Sequence, residues 1–192
     1  KDGPAQVKSF NSSAPRGTGF PCVTVLGQTW DPKLAYSFGI NYGKEMNAEG
    51  IGIDGTYGFG ANLHRSAWGG RNYEYFSEDG FLGGKMAANA IKAAETHGVY
   101  SFMKHFALND QETNRYGCAV FANEQAIREI YFSGHLICRQ KRLAHYFDLS
   151  QIRKTSCYMQ GDLRAQFRIL FATHKKFAHS GIAFQYAFNF RR

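Results

Sequence analysis

Two helix-length segments of this chain carry signals at both ends, and short apolar runs separate them. Asp31 followed by Pro32 opens the first. An aspartate at the N-cap can accept a backbone N–H, and a proline at the first helical position gives up a donor that has no partner there anyway. Leu34, Phe38 and Met46 supply an approximate apolar stripe, and Gly50 a stop. The second helix begins near Leu82, behind Glu78 and Asp79, whose charge suits its positive end. Leu82, Met86, Ala90, Ala93 and Ala94 line its inner face, and Gly98 follows its last turn. Residues 23–26, 51–57 and 99–106 read as strands. A third helix starts behind Asn123, with Ala126, Ile127 and Ile130 on its inner side.

Strand and helix alternate three times, which predicts parallel strands covered by helices, in a doubly wound sheet or a barrel. Two long loops, 58–80 and 107–122, separate these possibilities, because each follows a strand, where a barrel builds its active site. The glycine fingerprint of a dinucleotide fold is absent. Gly58-Phe59-Gly60 lacks the third glycine and does not open a helix. The expected class is therefore α/β, with a (β/α)8 TIM-type barrel that is incomplete: such a barrel takes about 250 residues, and the readable part supplies about half.

Past Phe132 the regular punctuation stops. Residues 1–132 hold 12 Lys+Arg against 13 Asp+Glu, a net of 12 − 13 = −1, whereas residues 133–192 hold 11 against 2, a net of 11 − 2 = +9. The overall charge of +8 is thus a property of the tail, which contains no proline and many Phe, Tyr, Arg and Lys. Residues 1–132 form one expected domain and 133–192 a basic, aromatic tail, for which a translation frameshift is one explanation. Lys141-Arg142, Arg153-Lys154 and Lys175-Lys176, interleaved with aromatics, resemble a nucleic-acid-binding composition only loosely. Cys22, Cys118, Cys138 and Cys157 show neither a C-x-x-C pair nor histidines at ligand spacing, so free buried thiols are expected, with no metal site and no disulfide framework. No apolar run approaches the roughly 20 residues of a membrane span. No leader is visible either, which reads as cytoplasmic, although a chain starting at Lys1 looks internal.

Four motifs stand in order along the chain: D-G-P-A at 2–5, N-L-H-R-S-A-W-G-G-R-N-Y-E-Y-F-S-E-D at 62–79, K-H-F-A-L-N-D-Q-E-T-N-R at 104–115 and N-E-Q-A-I-R-E-I-Y at 123–131. In these the chain resembles the family 3 glycoside hydrolases of the β-glucosidase type. The resemblance covers about two-thirds of the chain. It implies an N-terminal β/α barrel domain, retaining hydrolysis of β-glucosides, a small-molecule or oligosaccharide substrate and no cofactor. It also implies substrate-binding roles. Asp2 would hold two sugar hydroxyls, Arg71 would donate to hydroxyls and to the nucleophile, and Lys104 and His105 would grip the same ring. Neighbours in a regular strand point to opposite faces, so Lys104 and His105 cannot both reach one ligand from an ideal strand. The family resemblance implies distorted backbone here, including non-proline cis peptides.

A retaining glycosidase needs two carboxyl groups roughly 5 Å apart, one as nucleophile and one as acid/base. The family's nucleophile and acid/base motifs are not found in this sequence. Asp148 and Asp162 are the only acids after residue 132, and neither has the family's flanking residues. No catalytic residue is assigned, and the chain alone is expected to be inactive. The alternatives are a sugar-binding or non-functional remnant, or a tail that binds nucleic acid or an anionic surface. Glu74, Glu78 and Asp79 read as acids that stabilise a helix dipole rather than as a catalytic pair. His64 and His97 read as hydrogen-bonded or surface residues. Glu112 and Arg115 either take part in the site or support the loop through hydrogen bonds to each other.

Overall fold

The computed structural model describes residues 3–4, 17–48, 56, 59–105, 107–114, 119–140, 146–147 and 156–160. The strand expected at 51–57 lies outside these residues except for Thr56. Residues Lys1–Tyr158 form one compact unit and Met159–Arg192 a second. Of the second, only Met159 and Gln160 are described, as the end of a strand, Ser156–Gln160.

Helix α1, Val23–Gln28, occupies the β-branched run expected to be a strand. Tertiary contact overrides the local preference. Thr24 donates its hydroxyl proton toward the carbonyls of Asn72 and Tyr75, at 2.5 and 3.0 Å, and Val23 and Leu26 are buried. Helix α2, Pro32–Ala48, begins as expected, with the Lys33 N–H donating to Asp31 Oδ1 at 2.8 Å. Of the expected stripe, Met46 is buried and Phe38 packs against the core, but Leu34 is 45% exposed, and Ala35, Gly39, Tyr42 and Gly43 complete the buried face. The reason lies in the partner helix α3, Gly80–Glu95, whose backbone comes so near that a Cβ on Gly39 would stand 2.1 Å from the Ala90 carbonyl oxygen. Only small residues fit at that crossing.

Helix α3 follows the expected pattern throughout. The Asp79 carboxylate accepts from the Leu82 N–H at 2.7 Å, Met86, Ala90, Ala93 and Ala94 are fully buried, and Gly98 takes the left-handed turn after the helix at φ 77°. Leu82 is partly buried against the same core.

Two short strands, β1 (Gly60–Leu63) and β2 (Tyr75–Ser77), fall within the stretch expected to be one long loop. They pair in parallel, with Gly60 opposite Tyr75 and Leu63 opposite Ser77. On the other side of β1, Thr56 and Gly60 form parallel bridges to Ser101 and Lys104. Strand β3, Phe102–Met103, pairs in parallel with β5, Tyr146–Phe147. Four neighbouring segments therefore run the same way, in the order β2, β1, 101–104 and β5, and the helices α2 and α3 pack beside them. This is an α/β arrangement. The Tyr42 hydroxyl hydrogen-bonds to Thr56 Oγ1 and ties α2 to the sheet.

Residues 119–123, expected to end a loop, form strand β4, Ala119–Asn123. Asn123 then caps the next helix as expected, its Oδ1 accepting from the Ala126 N–H at 2.8 Å. That helix starts as α4 (Glu124–Ala126), widens to a π-helical turn over Ile127–Tyr131 and continues as α5, Phe132–Gln140. Helical structure thus crosses residue 132, where the sequence changes character. Ile127, Tyr131, Phe132, His135 and Cys138 are buried. Among the described residues no helix is long and apolar enough to cross a membrane. Cys138 is a buried free thiol as expected, whereas Cys22, the N-cap of α1, is free and exposed.

Candidate functional site

The loop between β1 and β2 folds back on itself. The Gly69 N–H donates to the Ser66 carbonyl at 3.0 Å, Asn72 Nδ2 donates to the same oxygen at 2.8 Å, and the loop ends in a 3-10 turn, Asn72–Glu74. Such a helix has three residues per turn, so side chains at i and i+3 stand one above the other. Arg71 is the N-cap of that turn and Glu74 its last residue, and the Arg71 guanidinium hydrogen-bonds to Glu74 Oε1. Glycine at position 60 permits the rest. A Cβ there would lie 1.9 Å from the Glu74 carbonyl oxygen and 2.8 Å from the Tyr75 ring. Without it, Glu74 and Tyr75 settle against β1 and face the next parallel segment.

That segment delivers Lys104 and His105, each 4% exposed, and the peptide bond between them is cis, as the family resemblance implied. Both side chains enter one cluster. Lys104 Nζ lies 2.7 Å from Glu74 Oε2, and His105 Nδ1 lies 2.7 Å from the Tyr75 hydroxyl. Glu74 therefore gives one oxygen to Arg71 and the other to Lys104.

The loop after His105 closes the cluster from a third direction. Leu108 is a buried leucine at φ 62°, a left-handed conformation that a non-glycine residue holds only when its surroundings enforce it. It is followed by Asn109, whose Nδ2 donates to the Tyr75 hydroxyl at 2.9 Å and to Glu112 Oε1 at 3.1 Å. The Tyr75 hydroxyl is thus shared between Asn109 Nδ2, which donates to it, and His105 Nδ1. Arg71 Nε lies 2.8 Å from Glu112 Oε1 in a second ion pair. A continuous chain of polar contacts thus runs from Lys104 through Glu74, Arg71, Glu112, Asn109 and Tyr75 to His105.

The electrostatics follow from this packing. Burial pulls the Arg71 guanidinium down, but the hydrogen bonds and charges of Glu74 and then Glu112 outweigh it, so its pKa is raised and the group is permanently charged. Burial is the largest influence on the Tyr75 phenol and raises it, with Asn109 acting in the opposite direction. Asn62, 2% exposed on β1, is close to the Tyr75 hydroxyl and acts on the phenol in the same direction as Asn109. It is a further polar group turned into this interior. A clasp flanks the cluster, in which the Tyr131 hydroxyl donates to Asp110 Oδ2 at 2.5 Å and the Arg65 guanidinium lies 5.7 Å from the Tyr131 ring centre.

Of the residues expected in the site, Arg71, Lys104 and His105 come together, and Glu112 joins them. Asp2 and Arg115 lie outside the described residues. The dipole reading of the acids holds for Asp79, which caps α3, but not for Glu74, which pairs with Arg71 and Lys104. His64 Nε2 makes a 2.6 Å contact with the Tyr75 carbonyl. Tyr75 and Asn109 were missed. Asn109 follows the Lys104-His105 pair by only a few residues, but its importance depends on the turn at Leu108, which no local pattern announces. Among the described residues no group of His, Cys, Asp and Glu could hold a metal ion.

The model of the Glycosyl hydrolase family 3 N terminal domain matches residues 7–136. The chain belongs to glycosyl hydrolase family 3. The match spans the loop carrying Arg71, the Lys104-His105 pair and most of the helix capped by Asn123. Beta-glucosidase A of Butyrivibrio fibrisolvens is 42% identical over 130 residues, which is 68% of this chain and 15% of that protein. Thermostable beta-glucosidase B of Acetivibrio thermocellus is 41% identical over 129 residues, 67% of this chain and 17% of that protein. The solved structure of beta-glucosidase 3B from Thermotoga neapolitana in complex with alpha-D-glucose is similar at a TM-score of 0.62 and 38% identity, covering 65% of this chain and 17% of that one. The chain thus spans about one-sixth of the length of the family members it matches.

Proposed function

We propose that the cluster of Arg71, Lys104 and His105 is the sugar-gripping part of a β-glucoside-hydrolysing site, with Asp2 as its fourth member. The observation that carries this reading is the convergence of the three residues, from separate stretches of the chain, on one buried polar network in a family whose members include β-glucosidases. The chemistry suits a neutral polyol. Guanidinium, ammonium and a ring N–H are donors for hydroxyl oxygens, and Glu74 and Glu112 balance the two cations, so the described cluster carries no net excess charge. We also read the four parallel segments as strands of a (β/α)8 barrel, which would place the loops after β1 and after residue 104 around a common mouth.

Bond cleavage needs two carboxyl groups placed about the glycosidic bond. In the described cluster both carboxylates are engaged with cations, and the two acids after residue 132 lack the family's flanking residues. The 192-residue chain is therefore proposed to hold a glucose-type ring without hydrolysing its bond. Isothermal titration calorimetry with glucose and with gluconolactone tests this. A saturable heat that disappears in Arg71→Ala and Lys104→Ala is expected, together with no turnover of an aryl β-glucoside above background. Absence of saturable heat in the folded wild-type chain would refute the binding reading, and turnover by the purified chain would refute its inactivity.

A further inference from the structure

We infer that Glu74 is a positioning residue, whose carboxylate sets the spacing of the two cations that meet the sugar. This rests on the sugar-binding reading for its functional meaning, but on geometry for its content. Glu74 is held from both ends. Its backbone N–H donates to the Arg71 carbonyl at 3.0 Å, closing the 3-10 turn, and its own carbonyl lies against Gly60 of the neighbouring strand. The carboxylate is fixed accordingly, and its two oxygens point to different partners: Oε1 to the Arg71 guanidinium and Oε2 to Lys104 Nζ at 2.7 Å.

Lys104 and Arg71 belong to segments more than thirty residues apart in sequence, and like charges in a mostly buried site repel. A carboxylate between them converts that repulsion into two attractions and fixes both side chains at once. The side chains of Glu74 and Lys104 are 13% and 5% exposed, so water screens this pair weakly. A lysine has four rotatable side-chain bonds and a compact charge that fits many geometries. Its direction must therefore be imposed by a partner, and Glu74 supplies one. Glu112 fixes the other edge of Arg71 through Nε. The acid next in the same motif, Glu78, is exposed and makes no such contact among the described residues, which makes it the natural control.

The test compares the full chain with Glu74→Gln, Glu74→Asp and Glu78→Gln. Each is read by calorimetry with glucose and by limited acetylation of lysines, quantified peptide by peptide. Acetylation reports where Lys104 sits whether or not sugar binds. In the wild type, Lys104 is expected to react at least tenfold more slowly than exposed Lys44 and Lys92. In Glu74→Gln that protection should be lost while Lys44 and Lys92 keep their rates, and glucose affinity should fall at least tenfold. Glu78→Gln should change neither. If Glu74→Gln proves unfolded, Glu74→Asp carries the test, because a carboxylate one methylene shorter cannot span both partners and should still expose Lys104 severalfold. Unchanged Lys104 protection in the folded variant overturns the inference, even if affinity falls, since Glu74 would then act on the sugar directly. Loss of protection in a chain that binds no sugar supports the positioning role and removes the sugar-binding reading instead.

Discussion

Replacing Glu95 with glutamine should stabilise the chain above neutral pH and have little effect in acid. Glu95 is the last residue of α3, at the negative end of the helix dipole, and burial pushes its carboxyl up to about 7 from an ordinary 4.5. Between those values the folded chain binds the proton more tightly than the unfolded chain does. The stability contributed by this group is therefore complete below about pH 4.5 and is lost as the pH rises through about 7. At about 1.4 kcal/mol per tenfold change, the full effect is about 3 kcal/mol. Partial solvent access to Glu95 reduces this, and about 1–2 kcal/mol is the expected gain for Glu95→Gln at pH 8, equivalent to a rise of roughly 3–6 °C in melting temperature for a chain of this size. His135, on the helix α5 packed against α3, acts in the opposite direction. Burial lowers its imidazole to about 4 from 6.5, so its contribution is complete above about 6.5 and is lost as the pH falls toward 4. Where the two windows overlap their slopes oppose each other, and Glu95→Gln should leave the acid-side loss due to His135 uncompensated. Urea unfolding of both proteins across about pH 4.5 to 8 measures the difference directly. A variant-minus-wild-type difference that is flat, or that grows toward acid, would refute the reasoning.

Two further perturbations test the fold around the site. Asp79→Ala removes the side chain that accepts from the Leu82 N–H, and should cost about 1 kcal/mol, read as a lower melting temperature with an unchanged circular dichroism spectrum. Gly39→Ala places a methyl group 2.1 Å from the Ala90 carbonyl oxygen, which is backbone and cannot swing aside, so α2 must shift on α3. A loss of about 1–3 kcal/mol in urea unfolding is expected, where the same change on an exposed helix face would be stabilising by up to about 1 kcal/mol.

What could be read in the sequence divides according to how local its cause is. The ends of α2 and α3 were legible at Asp31, Asp79 and Gly98, because a cap is settled within three residues of itself. The inner face of α3 was legible too, since its methionine and alanines repeat at helical spacing. The inner face of α2 was legible only in part: Phe38 and Met46 reach the core, but Leu34 looks like a core residue until the close approach of α3 makes Gly39 and Gly43 the contact and leaves the leucine exposed. Residues 23–26 show the same limit, because a β-branched run forms a helix once Thr24 can bond to the carbonyls of Asn72 and Tyr75, nearly fifty residues away. The strands β1 and β2 are four and three residues long, too short to show an alternating pattern, and were hidden inside a loop.

The site divides in the same way. Arg71, Lys104 and His105 could be singled out because their motifs resemble those of a known family, and nothing in composition or periodicity would have chosen them. Glu74 sits within one of those motifs, yet its function is not visible there, since a short acidic motif before a helix looks like dipole stabilisation from end to end. Its neighbour Asp79 caps the helix, in keeping with the sequence reading, and Glu78 is exposed. Glu74 differs because a 3-10 turn stacks it on Arg71 and a glycine on the adjacent strand lets it reach Lys104. The same residue type, four positions apart, is thus a solvated acid in one place and the link between two cations in the other. The cause lies in residue 60, which contributes no side chain at all, and a glycine whose importance is the room it leaves has no sequence signal until the strands beside it are placed.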